Sequence, residues 1–234
     1  MKAATLAALA HARAARLPVA LVTRLRDGAQ TLYQRNGQHG DLLLEGAVLA
    51  EIEERCAQDR SGRLEADAGL FVRWYAPQRR LIIVGAVHIA QTLAPAAVMA
   101  GFEVDIVDPR TAFATRERFP DTPLLHEWPD LALARLKPDA HTAVVALSHD
   151  PKLDDPALVA ALASEAFYVG ALGSRRTHAA RLERFAARGV TGTERLRAPV
   201  GLDLGGRSAG EIAIAIVAEI IQVRYRPGQG KLRG

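Results

Sequence analysis

Cysteine is almost missing from this sequence: Cys56 is the only one in 234 residues. A lone thiol excludes an internal disulfide and any multi-cysteine zinc or iron–sulfur site, and it fits a reducing compartment, so a cytoplasmic location is expected. Lysine is scarce as well. Of 30 basic residues four are lysine (Lys2, Lys137, Lys152, Lys231), which leaves 26 arginines, and the formal net charge is +4. The arginine bias fits either a GC-rich coding style or recognition of planar anions, for which the forked guanidinium is the better donor. Aromatic residues make up 5% of the chain and do not interleave with the basic ones, which argues against a nucleic-acid surface. There is no G-x-S-x-G elbow, P-loop or paired cysteine, so no catalytic nucleophile is assigned, and no tight His/Asp/Glu spacing marks a metal site. No secretory signal is visible. Residues 1–26 carry no acid and read as a first helix with Leu6 and Leu9 inward. Leu81–Phe102 is an uncharged run of 22 residues, long enough to span a bilayer. Gly85, His88, Gln91, Pro95 and Gly101 divide it instead into buried strand, turn and helix, so no membrane span is expected.

What is present falls into two styles. Up to Pro77 the pattern is that of a small α+β domain: a strand over Pro18–Leu25, a hairpin at Asn36-Gly37, a continuation at Leu42–Leu44, a helix over Glu45–Gln58 and a strand over Leu70–Trp74. Val48, Ile52 and Cys56 recur on one face of that helix. From residue 78 the pattern changes. Leu81–Val84, Glu103–Val107, Thr142–Leu147 and Phe167–Gly170 are short apolar runs, each followed by a helical stretch, and strands covered on both faces read this way. Ser208 and Glu211 form a capping box that opens a long apolar helix to Val223. The expected architecture is α/β: a Rossmann-type doubly wound parallel sheet over 78–234, with a smaller N-terminal α+β domain over 1–77.

Four polar segments each follow one of these strands, and a parallel sheet gathers such ends along one edge, where ligands bind. Gly85-Ala86-Val87-His88 follows the first, and Asp108-Pro109-Arg110 the second. Ser148-His149-Asp150 follows the Thr142 strand, and Gly170-Ala171-Leu172-Gly173-Ser174-Arg175-Arg176-Thr177 the Phe167 strand. The first segment is an imperfect dinucleotide fingerprint. Gly85 makes the tight turn, but Val87 replaces the glycine over which a pyrophosphate approaches the backbone, which disfavours NAD(P). Asp108 falls where an acid meets a ribose hydroxyl. His88 and His149 suit either helix capping or proton carriage near neutral pH. Gly173–Thr177 suits either an anion site with Arg175 and Arg176 as forked donors or plain capping with solvated arginines. Gly201-Leu202-Asp203-Leu204-Gly205-Gly206-Arg207 is a flexible loop bordering the site or merely turning the chain.

Gly-Ala-Leu-Gly-Ser-Arg-Arg-Thr at 170–177 and Gly-Leu-Asp-Leu-Gly-Gly-Arg-Ser at 201–208, taken with Leu81–Arg110 and Ser148–Asp150, resemble the xanthine dehydrogenase accessory protein family, the XdhC/CoxI-type maturation factors. The resemblance covers most of residues 70–224. It implies a cofactor-binding chaperone more than an enzyme: a protein that transiently binds molybdenum cofactor, as molybdopterin or its dinucleotide form, and passes it to a molybdenum hydroxylase such as xanthine dehydrogenase. A cysteine desulfurase is a further implied partner, and a homodimer is expected from the apolar last helix. The implied cofactor-binding residues are Gly85, Ala86, His88, Asp108, Arg110, His149, Asp150, Gly170, Gly173, Ser174, Arg175, Arg176, Thr177 and Asp203. Family members commonly carry a Gly-Gly-Cys-Val-Glu-like segment in the first domain; here Leu44-Glu45-Gly46-Ala47-Val48 stands in its place without the cysteine. The competing readings are an NAD(P)-dependent oxidoreductase and a binding module with a degenerate nucleotide site.

Overall fold

The computed structural model describes residues 2–226. The chain divides into two compact units, Met1–Pro77 and Gln78–Gly234.

The first unit contains helix α1 (Ala3–Ala14), strands β1 (Val19–Arg24), β2 (Gln30–Gln34) and β3 (Gly37–Gly40), helix α2 (Gly46–Ala57), and strands β4 (Gly62–Arg63) and β5 (Leu70–Tyr75). The strands form an antiparallel sheet ordered β3-β2-β1-β5-β4. Strand alternation splits β1 between two small cores. Ala20 and Val22 meet Ile52 of α2, and Val19 and Leu21 meet Leu9 and Ala12 of α1. Three expectations need correction. The hairpin turns at Arg35-Asn36, because Gln34 pairs with Gly37 and the glycine already belongs to the returning strand. Leu42–Leu44 is not a strand: the Thr31 hydroxyl and the Gln38 amide take up the backbone groups of Leu42 and Leu44, so side chains replace the ladder. Leu6 points outward, 54% exposed, while Leu9 is buried.

The second unit runs β6 (Arg79–Val84), α3 (His88–Met99), β7 (Phe102–Val107), β8 (Leu124–Leu125), α4 (Pro129–Leu136), β9 (Thr142–Ala146), α5 (Pro151–Leu162), β10 (Tyr168–Ala171), α6 (Arg175–Ala187), β11 (Leu196–Arg197) and α7 (Ala209–Tyr225). Its six strands are all parallel, in the order β11-β10-β9-β6-β7-β8. Numbered within the unit this is 3-2-1-4-5-6 read from the β8 edge, the doubly wound dinucleotide-fold order, with the switch point between β6 and β9. The apolar runs are continuous because both faces are covered. Leu81 and Ile83 of β6 join the core under α3 and α7, and Ile82 and Val84 join the core under α4 and α5.

Two helices differ from their sequence reading. Helix α5 starts at Pro151, since the Asp150 carboxylate caps the Lys152 N–H and proline is well tolerated in a first turn. Helix α7 is not buried all round. Ala213, Ile216, Val217 and Ile220 face the sheet, but Ile214 and Ile221 are 50% and 37% exposed. The Ser208–Glu211 capping box is formed as the sequence indicates.

Candidate functional site

Parallel pairing of β7, β6, β9 and β10 sets their carboxyl ends side by side, so the Gly85, Asp108, His149 and Gly173 segments share one edge of the sheet. The edge has two halves of different character.

On the first half, at the ends of β6 and β7, the groups are bound to one another. Gly85 has φ +103°, and a Cβ there would lie 2.9 Å from the Ser148 nitrogen, so only glycine fits where β6 meets the end of β9. The fully buried Asp108 carboxylate accepts from the Ala86 N–H at 2.8 Å, from the Arg110 N–H at 3.0 Å, and from Arg110 Nε and Nη2 at 2.9 and 2.7 Å. Burial works to raise its pKa; the Arg110 guanidinium and the two backbone donors outweigh it and hold the carboxyl below its ordinary value. Arg110 in turn lies over the Phe113 ring, 4.4 Å from its centre. Arg118 donates to the Ala86 carbonyl at 2.8 Å, to the Phe113 carbonyl at 2.6 Å and to the Gln91 side chain at 3.2 Å. Asp108 is therefore engaged with Arg110 in the place of the ribose hydroxyl that the sequence suggested. His88 is exposed at the start of α3, its Nδ1 3.3 Å from Gln91 Oε1.

At the switch point His149 is exposed and holds a left-handed backbone, φ +63°, which a non-glycine residue rarely adopts. Its neighbours are structural. Asp150 caps α5, and Ser148 gives both its N–H and its hydroxyl to the buried Asp154, the hydroxyl at 2.6 Å. Asp154 sits 3.7 Å from the buried Arg181 of α6, which also lies 3.6 Å from Asp155. Burial pushes the Asp154 carboxyl above its ordinary value, against the lowering by Ser148 and Arg181. Asp155 accepts a two-pronged pair from Arg184 at 2.7 and 3.1 Å. Sequence reading missed this cluster, although two adjacent acids on α5 and arginines three apart on α6 are the pattern that would have revealed it.

The second half, beyond β10 and β11, is open. Ser174 caps α6 through the Thr177 N–H at 3.1 Å, and Arg175 and Arg176 are exposed in its first turn. A cleft of about 540 Å³ lies between this turn, the loop over 198–206 and the start of α7. Its walls include Leu172, Pro199, Leu202 and Ile212, with Arg175 and Asp203 as charged residues. Buried chemistry fixes the loop. Glu219, 1% exposed on α7, accepts from the Tyr168 hydroxyl at 2.5 Å and from the Gly201 N–H at 2.7 Å. Burial, then the Glu219 charge, raises the Tyr168 phenol well above its ordinary pKa. Gly201 has φ +90° and its Cβ position lies 3.2 Å from the α7 backbone at Ala215 and Ile216, so the loop packs directly on the helix. Gly170, Gly173, Ser174, Arg175, Arg176, Thr177 and Asp203 thus fall on the half that holds the cleft. Gly85, Ala86, His88, Asp108 and Arg110 fall on the closed half, and His149 and Asp150 lie between.

A doubly wound sheet with a cleft at its strand ends defines a Rossmann-type small-molecule-binding domain. Residues 81–220 match the XdhC Rossmann domain, and the chain belongs to that family. It is 29% identical over 209 residues to a Bacillus subtilis protein named as a probable xanthine dehydrogenase component, covering 89% of this chain and 61% of that protein. It is 35% identical over 152 residues to the molybdenum cofactor insertion chaperone PaoD of Escherichia coli, covering 64% of this chain and 42% of that protein. A solved protein described as a xanthine dehydrogenase from Bacillus halodurans superposes with a TM-score of 0.71 at 24% identity, over 96% of this chain and 65% of that one, a likeness of fold. The chain spans less than two thirds of the length of each of these relatives. Among the described residues no helix is long and apolar enough to cross a membrane.

Proposed function

We propose that this chain is a maturation factor that binds molybdenum cofactor and assists its insertion into a molybdenum hydroxylase. The observation that carries the reading is the open cleft beside Arg175, Arg176 and Asp203 in a chain that is 35% identical, over 152 residues, to a relative named as a molybdenum cofactor insertion chaperone. The residues suit the cargo. An exposed guanidinium pair at a helix start, where backbone N–H groups also point outward, receives a phosphate. Apolar walls receive a ring system, and the buried Glu219–Tyr168 pair keeps the loop from collapsing into the cleft. The cofactor supplies all redox chemistry; the chain's residues bind it and shield it from water. The self-satisfied first half weighs against an NAD(P)-dependent oxidoreductase.

The partners follow from the same surfaces. The client hydroxylase docks on the strand-end edge, where the cofactor leaves. A second copy of the chain covers the exposed Ile214 and Ile221 of α7, giving a homodimer. A cysteine desulfurase, if it engages this chain, finds no reactive thiol at Cys56, which is packed among Val48, Ile52 and Tyr33. The test is cofactor capture. Full-length protein is incubated with molybdenum cofactor, separated by gel filtration and oxidised to its fluorescent pterin. Bound pterin near one per chain, falling at least tenfold in Arg175→Ala/Arg176→Ala, supports the reading. Pterin absent from the protein fraction refutes it.

A further inference from the structure

We infer that the site takes a fused heterocycle carrying a single phosphate, and that it excludes the dinucleotide form. The inference rests on the proposed cofactor role and narrows it. In a doubly wound fold each half of the sheet edge receives one nucleotide of a dinucleotide. Here the first half has no capacity left for a second nucleotide. A carboxylate offers about four lone-pair sites, and Asp108 already receives Ala86 N, Arg110 N, Arg110 Nε and Arg110 Nη2. A ribose diol would have to displace a guanidinium from a buried carboxylate. The turn amide of Ala86, which a pyrophosphate would need, is given to the same carboxylate. Val87 carries a branched side chain at the closest-approach position, and Arg118 is bonded to the turn's carbonyl at Ala86.

The second half supplies what half a dinucleotide requires. Its cleft of about 540 Å³ falls within the range of small-molecule sites. Leu172, Pro199, Leu202 and Ile212 offer apolar surface to a planar ring, Asp203 accepts from ring N–H and exocyclic amino donors, and Arg175 takes the phosphate. An amino-oxo pyrimidine edge, as in a pterin, presents two adjacent donors that match one carboxylate.

The experiment titrates the full chain with four probes: a molybdenum-free pterin monophosphate followed by its own fluorescence, the molybdenum cofactor in monophosphate form, the cofactor in cytosine dinucleotide form, and NADH. Both monophosphates should bind at least tenfold tighter than both dinucleotides. Leu202→Trp, which fills the cleft, and Asp203→Ala, an exposed change that leaves the fold intact, should each weaken monophosphate binding at least tenfold. Val87→Phe on the closed half should leave it unchanged. Equal or tighter binding of the dinucleotide cofactor, or sensitivity to Val87→Phe with indifference to Leu202→Trp and Asp203→Ala, overturns the inference while the cofactor role stands. Pterin monophosphate bound in the cleft with both cofactor forms rejected keeps the inference and removes the chaperone reading. No binding of any probe removes both.

Discussion

Replacing Asp108 by Asn tests whether the closed half of the edge is held by charge. The carboxylate is fully buried and its partner Arg110 is about one-third exposed, 32% at the side chain. An amide of the same shape keeps one oxygen and turns an N–H₂ toward groups that are themselves donors. Removing one partner of a buried ion pair costs about 3–5 kcal/mol, and the partial exposure of Arg110 places the expected loss near the lower end, about 3 kcal/mol. For a unit of this size that corresponds to a fall of roughly 6–12 °C in Tm. The pH dependence carries a sign. The Asp108 pKa is depressed in the folded state, so its contribution is present above the ordinary carboxylate range and is lost as pH falls through the lowered folded value. Thermal unfolding of wild type and Asp108→Asn should therefore differ most at neutral pH, with the gap narrowing on the acid side below about pH 4. A gap under about 2 °C at pH 7, or one that widens in acid, would refute the charge account.

Two further outcomes are expected. Gly85→Ala meets both a positive φ and the Ser148 backbone at 2.9 Å, so it should lose about 2–4 kcal/mol in urea unfolding, near 1 from the backbone conformation and the rest from displacement of packed neighbours; a loss below about 0.5 kcal/mol would mean the two turns are not in contact. The Cys56 thiol is pushed up to about 12, first by burial and then by the nearby Asp59 and Glu53 charges, so a disulfide reagent at pH 8 should modify it at least about a hundredfold more slowly in the native protein than in urea; equal rates would show that the thiol is accessible and ionisable.

How much of this was readable in the sequence depended on whether a residue's role was local. Strands β6 and β9 were legible because both of their faces are covered, so Leu81–Val84 and Thr142–Ala146 are unbroken apolar runs. The polar segments after them were legible because a parallel sheet leaves only one place for such ends. The hairpin at residues 34–37 was legible as a turn but off by one residue, since the identity of Asn36-Gly37 does not state which residue pairs first. Residues 42–44 failed for a different reason: Thr31 and Gln38 hold that segment from eleven and six residues away, and no window of sequence contains that information. The cleft was the least legible feature. Leu172, Pro199, Leu202 and Ile212 are ordinary apolar residues until β10, the loop and α7 bring them together. Glu219 was the available hint, a lone acid in an apolar helix that had to find a buried partner, and it found Tyr168 and Gly201.

Asp108 illustrates how one residue two positions away redirects a familiar site. An acid at the end of the second strand ordinarily faces a ribose. Here Arg110 supplies a backbone N–H and two guanidinium donors to it, and the Ala86 amide completes the set. The same turn that would cradle a pyrophosphate thereby becomes internal structure, and the ligand-binding capacity of the edge passes to the half beyond β10. On the proposed reading this suits the task. A protein that hands its ligand on must let go of it, and a ligand held by one half of the fold forgoes the contacts of the other. Each charge-assisted hydrogen bond left unmade is worth about 1.5–3 kcal/mol, so forgoing the ribose and pyrophosphate contacts lowers affinity by several tenfold steps and leaves the grip to Arg175, Asp203 and the apolar walls. Release is then governed by the loop over 198–206, which Glu219 ties to α7 through Gly201, and a client that displaced this loop would open the cleft without touching the sheet.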